Sequence, residues 1–421
     1  MKNKVLIQTM LALILAVLAG WLTGPERGLF GVPFLKIYNL IGQLFLNALT
    51  LVVVPLVSSS IITAAARMGS DDSIGSLGKK TFGFFALSLF LAVCVGLVSA
   101  IVIEPGKWQP FTTLLAQDAQ VLNLTSSLEE GAFHKLEQII LKFIPSNIFA
   151  AAVQGQMLGL IIFSLLFGYF LTKVETQPSA VLLGFFKGVF QVMMKITHLV
   201  MKALPIGVFG LVAKVVATSG IDSFKSVAVF FIAFVVGFLI YGLAVMPLLL
   251  KFKAKISPWA YIKAISPALL TAFSTSSSAA SLPITMDCIE KRAGVSNRVC
   301  GFVMPLGITL NMSGTALFQA VAAVFIAQAY ALPLSMSTVF LIGAMSFLTS
   351  IGVAGIPSAS LVSLVITLSA VGLPAEGIGL IMAVERISDM FRTTANIYGN
   401  ACCSVLVARA EGEDRVLISG A

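Results

Sequence analysis

The sequence predicts an all-helical polytopic membrane protein of eight spanning helices and two re-entrant helical hairpins, arranged as inverted repeats. Three observations carry this. Of 421 residues, 58% are hydrophobic and only 11% charged, and the mean hydropathy of +1.01 is too high for a chain packing its core in water. Runs such as Val5–Thr23, Phe82–Ile103 and Val227–Leu250 are as long as the ~18 apolar residues that identify a spanning helix. Two apolar segments in the second half are broken in their middles by small and polar residues.

Residues 1–252 read as six spans, at 5–23, 38–66, 81–104, 147–175, 180–219 and 224–252. Lys2, Lys4 and the run behind them also have the look of a secretory leader, but the run is long and further spans follow at once. The 105–145 connection is the long one and mixes polar residues with Trp108, Phe111 and Phe133; its Asn123-Leu124-Thr125 matches a glycosylation sequon, which would be incidental if the chain is bacterial.

Residues 253–421 repeat one pattern, hairpin then helix. Ile265–Leu270 leads into the serine run 274–278 and Leu282-Pro283, giving a first hairpin at ~258–292 and a helix at 296–330. Val339–Leu348 leads into Gly352-Val353-Ala354-Gly355-Ile356-Pro357, giving a second hairpin at ~335–370 and a helix at 376–410. The arms are too short to span twice, and backbone that breaks its helix at membrane depth must be buried in protein or line a cavity. A flexible linker would not carry apolar flanks on both sides of its serines.

The net charge of +9 is spread over short connections rather than gathered in one patch, which excludes a nucleic-acid surface. With a cytoplasmic amino terminus, 16 of 27 basic residues fall inside, among them Lys173/Lys187 and Lys251/Lys253/Lys255. That orientation turns the two hairpins opposite ways, a layout shared by many secondary transporters. The five cysteines and two histidines lack metal-ligand spacing, and no nucleophile stands with a base, so a metal centre or an intramembrane hydrolase is not supported.

The chemistry gathers at two places. Asp389, Arg392, Asn396 and Asn400 are three and four apart, which puts them on one helical stripe within about 80°. A charge at the middle of a span costs about 2.5–3.5 kcal/mol, so the stripe faces protein, water or a ligand. A structural ion pair between Asp389 and Arg392 is the competing account of those two. Glu385 extends the stripe one turn earlier as a candidate proton carrier. Thr309-Leu310-Asn311-Met312-Ser313-Gly314-Thr315 breaks a helix with oxygen-bearing side chains and a glycine, and exposed carbonyls suit a small hard cation. A packing kink at Gly314 is the competing account.

The serine-rich tip ending in Leu282-Pro283, the Asn-Met-x-Gly-Thr of 311–315, the Ala354-Gly355-Ile356-Pro357 tip and the Asp-x-x-Arg-Thr-x-x-Asn of 389–396 stand in the order found in the dicarboxylate/amino acid:cation symporter family. Pro145-x-Asn147-x-Phe149, Gly155-Gln156 and Pro205-x-Gly207-Val208-Phe209 extend the resemblance over nearly the whole chain. The resemblance implies a multi-pass inner-membrane homotrimer taking up L-glutamate or L-aspartate with a cation, no cofactor being needed beyond co-transported Na+ or H+. It makes 1–252 mostly scaffold, apart from spans such as 81–104, and 253–421 mostly transport core. It assigns the substrate's distal carboxylate to Arg392 and Thr315, its amino group to Asp389, and its α-carboxylate end to Thr393 and Asn396. Ser278 and Ile356 would offer backbone groups from the two tips.

For cations, the resemblance implies one site at Gly307, Asn311, Asn396 and Asn400, and another from Met312 and the carbonyls of Thr309, Ser350, Ile351 and Val353. The sequence departs where sodium-coupled members carry aspartates, here Ser313 and Asn400, and reads Phe85, Ser88 and Leu89 at a third site. Fewer sodium ions, or a proton, are therefore expected. Gln319 stands where animal members have a proton-carrying glutamate. Asp389 argues against C4-dicarboxylates and Arg392 against neutral amino acids, the alternatives within the family; an ion channel is the alternative outside it.

Overall fold

The computed structural model describes residues 2–29, 32–68, 75–108, 141, 144–154, 157–220, 223–351 and 360–413. The sequon and most of the 105–145 connection lie outside the described residues, as does the second hairpin's tip with Val353 and Ile356.

The described residues are helical almost throughout. In order, the helices are α1 (Lys2–Thr23), α2 (Phe34–Met68), α3 (Gly75–Ile103), α4 (Ile148–Val153), α5 (Met157–Leu171), α6 (Thr176–Lys202), α7 (Leu204–Ser219) and α8 (Ser223–Ile240). A π turn at Tyr241–Val245, one helical turn and a second π turn carry α8 on to Ala254. Then come α9 (Pro258–Thr275), α10 (Ser278–Asp287), α11 (Asn297–Leu310), α12 (Ser313–Ala329), α13 (Met336–Thr349), α14 (Ser360–Val371) and α15 (Ile378–Ala410). A two-residue antiparallel ribbon, β1 (Gly28–Leu29) with β2 (Val32–Pro33), precedes α2 and is too short to leave a pattern in the sequence. Among the described residues, five helical stretches are long and apolar enough to cross a membrane, including Phe34–Thr63, Ser76–Lys107 and Asn297–Ala329.

Two boundaries differ from expectation. The segment 180–219 is two helices, because Pro205 in the first turn of α7 has no N–H to continue α6. Lys187 belongs to no connection: it lies in the interior of α6, where only a few charged residues interrupt the apolar pattern.

Packing falls into two groups. α1, α2, α5, α6 and α7 pack on one another, while α3 and α8 pack with α9 to α15. Every residue of α12 is buried, enclosed by α3, α8, α13, α14 and α15. The groups meet where α7 touches α15 and where α14 touches α2. Just beyond the C-terminal end of α15, Lys80 of α3 contacts Glu411 at 2.6 Å and holds that carboxyl below its usual range.

Candidate functional site

The stripe on α15 is buried and cross-linked. Arg392, 1% exposed, donates from Nη2 to Glu385 Oε1 at 2.7 Å and to Asp389 Oδ1 at 2.9 Å. Its guanidinium lies 4.2 Å over the Phe318 ring of α12, a cation–π contact that holds the plane of the fork. Nε and Nη1 are buried without a hydrogen-bond partner among the described residues. A buried guanidinium with two unmet N–H groups is costly by itself and matches a bidentate carboxylate. Asp389 is also approached by Arg386, Nη1 to Oδ2 at 3.5 Å.

Two glycines let α12 and α11 reach α15. A Cβ at Gly314 would lie 2.3 Å from the Arg392 carbonyl oxygen, and one at Gly307 would lie 2.4 Å from Asn400 Oδ1. Only glycine permits those approaches. With α12 so close, Asn396 Oδ1 accepts from the N–H groups of Gly314 and Thr315 at 2.8 and 3.2 Å, and its Nδ2 donates to Thr315 Oγ1 at 3.3 Å. A side chain of α15 thus caps the N-terminus of α12, replacing the local cap that Met312 cannot supply.

At the break between α11 and α12, Asn311 Nδ2 donates to Asn400 Oδ1 at 3.0 Å. Asn311 Oδ1 and Asn400 Nδ2 are buried and have no hydrogen-bond partner among the described residues, the first an oxygen suited to a cation. Met312 Sδ lies 3.9 Å from Thr315 Oγ1, and Thr309 Oγ1 donates back to Leu306 O at 2.9 Å. Ser313, where sodium-coupled members carry an acid, donates from Oγ to Ala395 O at 3.4 Å. Beside it the Ser88 and Tyr241 hydroxyls share a hydrogen bond of 2.8 Å, so neutral hydroxyls fill this corner.

The structure brings Thr315, Glu385, Asp389, Arg392 and Asn396 into one buried cluster with Asn311 and Asn400 beside it. Ser278, the first residue of α10, is buried just after Ser276, which takes a left-handed φ of 49° to turn the first hairpin. Thr393 is buried on α15, Ser350 is buried at the end of α13 donating to Ser346 O at 2.6 Å, and Ile351 is half-buried. Sequence reasoning missed Phe318, which no spacing rule ties to an arginine in another helix. It also missed Arg386, whose spacing of three from Asp389 was there to be read.

Gln319, one turn beyond Thr315, stands in a separate neutral network. Its Nε2 donates to Ser363 Oγ at 2.6 Å, and its Oε1 accepts from Thr349 Oγ1 at 2.6 Å and Thr367 Oγ1 at 3.1 Å. One amide therefore ties α12 to both α13 and α14.

The profile of the sodium:dicarboxylate symporter family matches residues 5–410. The chain belongs to that family. Among its relatives in the family is a proton/glutamate-aspartate symporter of Escherichia coli (strain K12), 33% identical over 88% of this chain and 84% of the relative. A proton/sodium-glutamate symport protein of Bacillus caldotenax is 33% identical over 96% of this chain and 94% of the relative. Excitatory amino acid transporter 3 of Oryctolagus cuniculus is 31% identical over 95% and 84%. This symporter chain is thus a multi-pass membrane protein.

Proposed function

We propose that the protein takes up acidic amino acids, L-glutamate or L-aspartate, by symport with Na+ or H+. The observation that carries this is Arg392, buried, with one nitrogen held by Glu385 and Asp389 and two left without acceptors. The distal carboxylate of the substrate takes Nε and Nη1 as two parallel charge-assisted hydrogen bonds, and Phe318 keeps the fork from rotating. Asp389 receives the ammonium group, which no dicarboxylate or neutral carboxylate-free side chain can offer together with a distal carboxylate. Asn396 and Thr393 take the α-carboxylate end, and Thr315 the distal one; Ser278 and Ile356 contribute backbone groups from the hairpin tips.

The cation reading rests on Asn311 Oδ1 and the carbonyls around the α11–α12 break, with Gly307, Asn396 and Asn400 at one site and Thr309, Met312, Ser350, Ile351 and Val353 at another. With neutral Ser313 and Asn400, sodium sites are weaker than carboxylate ones, and Glu385 is the group placed to carry a proton. The packing supports α1, α2 and α5 to α7 as scaffold, and α3 with α8 to α15 as the moving core. We assign the protein to the inner membrane as a homotrimer with a cytoplasmic amino terminus.

Labelled L-glutamate and L-aspartate uptake into proteoliposomes, under a sodium gradient and then under a proton gradient without sodium, tests the reading. Saturable uptake in either arm supports symport, and the arm identifies the ion. Substrate-independent conductance without uptake would refute it.

A further inference from the structure

Asp389 is held between two arginines of its own helix, Arg386 one turn before it and Arg392 one turn after. The two hold it differently. Arg392 donates to Oδ1 at 2.9 Å, is 1% exposed, and is fixed by Glu385 and the Phe318 ring. Arg386 stands 3.5 Å from the other oxygen, Oδ2, as an ion pair too long for a good hydrogen bond, and its side chain is 18% exposed. A loose, partly open pair of this kind adds little to folding, and its cation can swing away on a long flexible stem.

Oδ2 is also the oxygen that an arriving ammonium group needs, because Oδ1 is committed to Arg392. Two cations repel one another at a single carboxylate oxygen, so an ammonium that hydrogen-bonds Oδ2 directly displaces the guanidinium standing farther off. With Glu385 ionised, Glu385 and Asp389 carry two negative charges and Arg386 and Arg392 two positive ones. The empty stripe therefore sums to zero only with Arg386 included. Without it, one carboxylate charge is left uncompensated whenever no amino acid is bound, and such a charge is costly to hold or move in apolar surroundings.

We propose that Arg386 is a tethered counter-cation that stands in for the substrate's ammonium group. It holds Asp389 Oδ2 while the site is empty, yields it when the amino acid binds and takes it back on release, so the unloaded protein resets without exporting a second cation. This role rests on the acidic amino acid symport proposed above and adds to it a residue for the reset step. A cargo without an ammonium group offers Oδ2 nothing and leaves Arg386 in place.

Two assays of the purified full chain in proteoliposomes, under the ion gradient that drives wild type, isolate that step. Net uptake of labelled L-glutamate into vesicles free of substrate requires the protein to reset empty; exchange into vesicles loaded with unlabelled L-glutamate does not. Arg386→Gln, and Arg386→Met, which keeps the packing of the stem, should still exchange, while their net uptake falls about tenfold or more relative to exchange. Arg386→Lys keeps the charge and should hold the ratio of net uptake to exchange within about twofold of wild type. Neutral variants of wild-type melting temperature in which both activities fall together, or neither falls, would overturn the proposal, as would a Lys variant whose ratio collapses like theirs. Wild type that neither accumulates nor exchanges glutamate or aspartate would refute the symport reading itself, and this role with it.

Discussion

Replacing Arg392 by lysine keeps the charge on the α15 stripe and removes the fork. In the native protein Nη2 is committed to Glu385 and Asp389 at 2.7 and 2.9 Å, while Nε and Nη1 wait for acceptors. A carboxylate accepting from both gains two charge-assisted hydrogen bonds of about 1.5–3 kcal/mol each, a factor of roughly 10² to 10⁴ in affinity. An ammonium retains the attraction but must divide its three donors between Glu385, Asp389 and the substrate, so about one of those bonds is lost. Arg392→Lys should therefore raise KM for L-glutamate about 10- to 100-fold in proteoliposome uptake. Arg392→Cys removes the guanidinium that Glu385 and Asp389 share and should lose acidic amino acid uptake while sparing or gaining uptake of a neutral amino acid. A melting temperature measured alongside separates recognition from folding, since removing one partner of a buried pair destabilises by about 3–5 kcal/mol. A Lys variant with KM for glutamate within twofold of wild type would refute the assignment of the fork.

Glu385→Gln should flatten the dependence of uptake on an imposed pH difference while leaving a sodium-driven component; an unchanged pH profile would remove Glu385 as proton carrier. Asn400→Asp should strengthen sodium dependence, read as a lower sodium concentration for half-maximal uptake, because a carboxylate then meets the Asn311 amide at the α11–α12 break. Gln319→Leu removes the hydrogen bonds that tie α12 to Thr349, Thr367 and Ser363, each of which keeps an acceptor in its own helix, so thermal unfolding should show a loss of about 0.5–1.5 kcal/mol per bond removed. Lowering pH through the carboxylate range should weaken the tie between Lys80 and Glu411: its depressed carboxyl contributes stability above the unfolded pKa, and that stability is lost as pH falls, whereas Lys80→Met should show no such acid-side difference.

Residues sharing one helix were the most readable. The stripe of Asp389, Arg392, Asn396 and Asn400 follows from the helical period, and the serine and glycine breaks follow from backbone that apolar surroundings cannot satisfy. Contacts between helices left no such trace. Asn396 capping α12 joins residues 82 apart, and Asn311 meets Asn400 across 89, a meeting that came only through the family resemblance. Phe318 beneath Arg392 had no signal, since an aromatic in a buried helix is ordinary core. Lys187 was misplaced because charge counting assigns basic residues to connections, and one lysine in an otherwise apolar run resembles a short loop until the helix is seen to continue through it.

The break at Asn311–Met312 places the end of α11 beside the start of α12. Aligned peptide units leave about half a unit of negative charge on the last carbonyls of one helix and about half a unit of positive charge on the first amides of the other. A region a few residues across thus presents both signs without any ionisable group. Under the proposed function a cation held there would be met by peptide dipoles, which neither titrate nor require a counter-ion when the cargo leaves. Formal charge is confined to the neighbouring stripe, where Glu385, Arg386, Asp389 and Arg392 sum to zero before the cargo arrives. On the proposed reading of α3 with α8 to α15 as a moving core, the emptied core would cross the apolar part of the bilayer carrying dipoles and balanced charge rather than net charge.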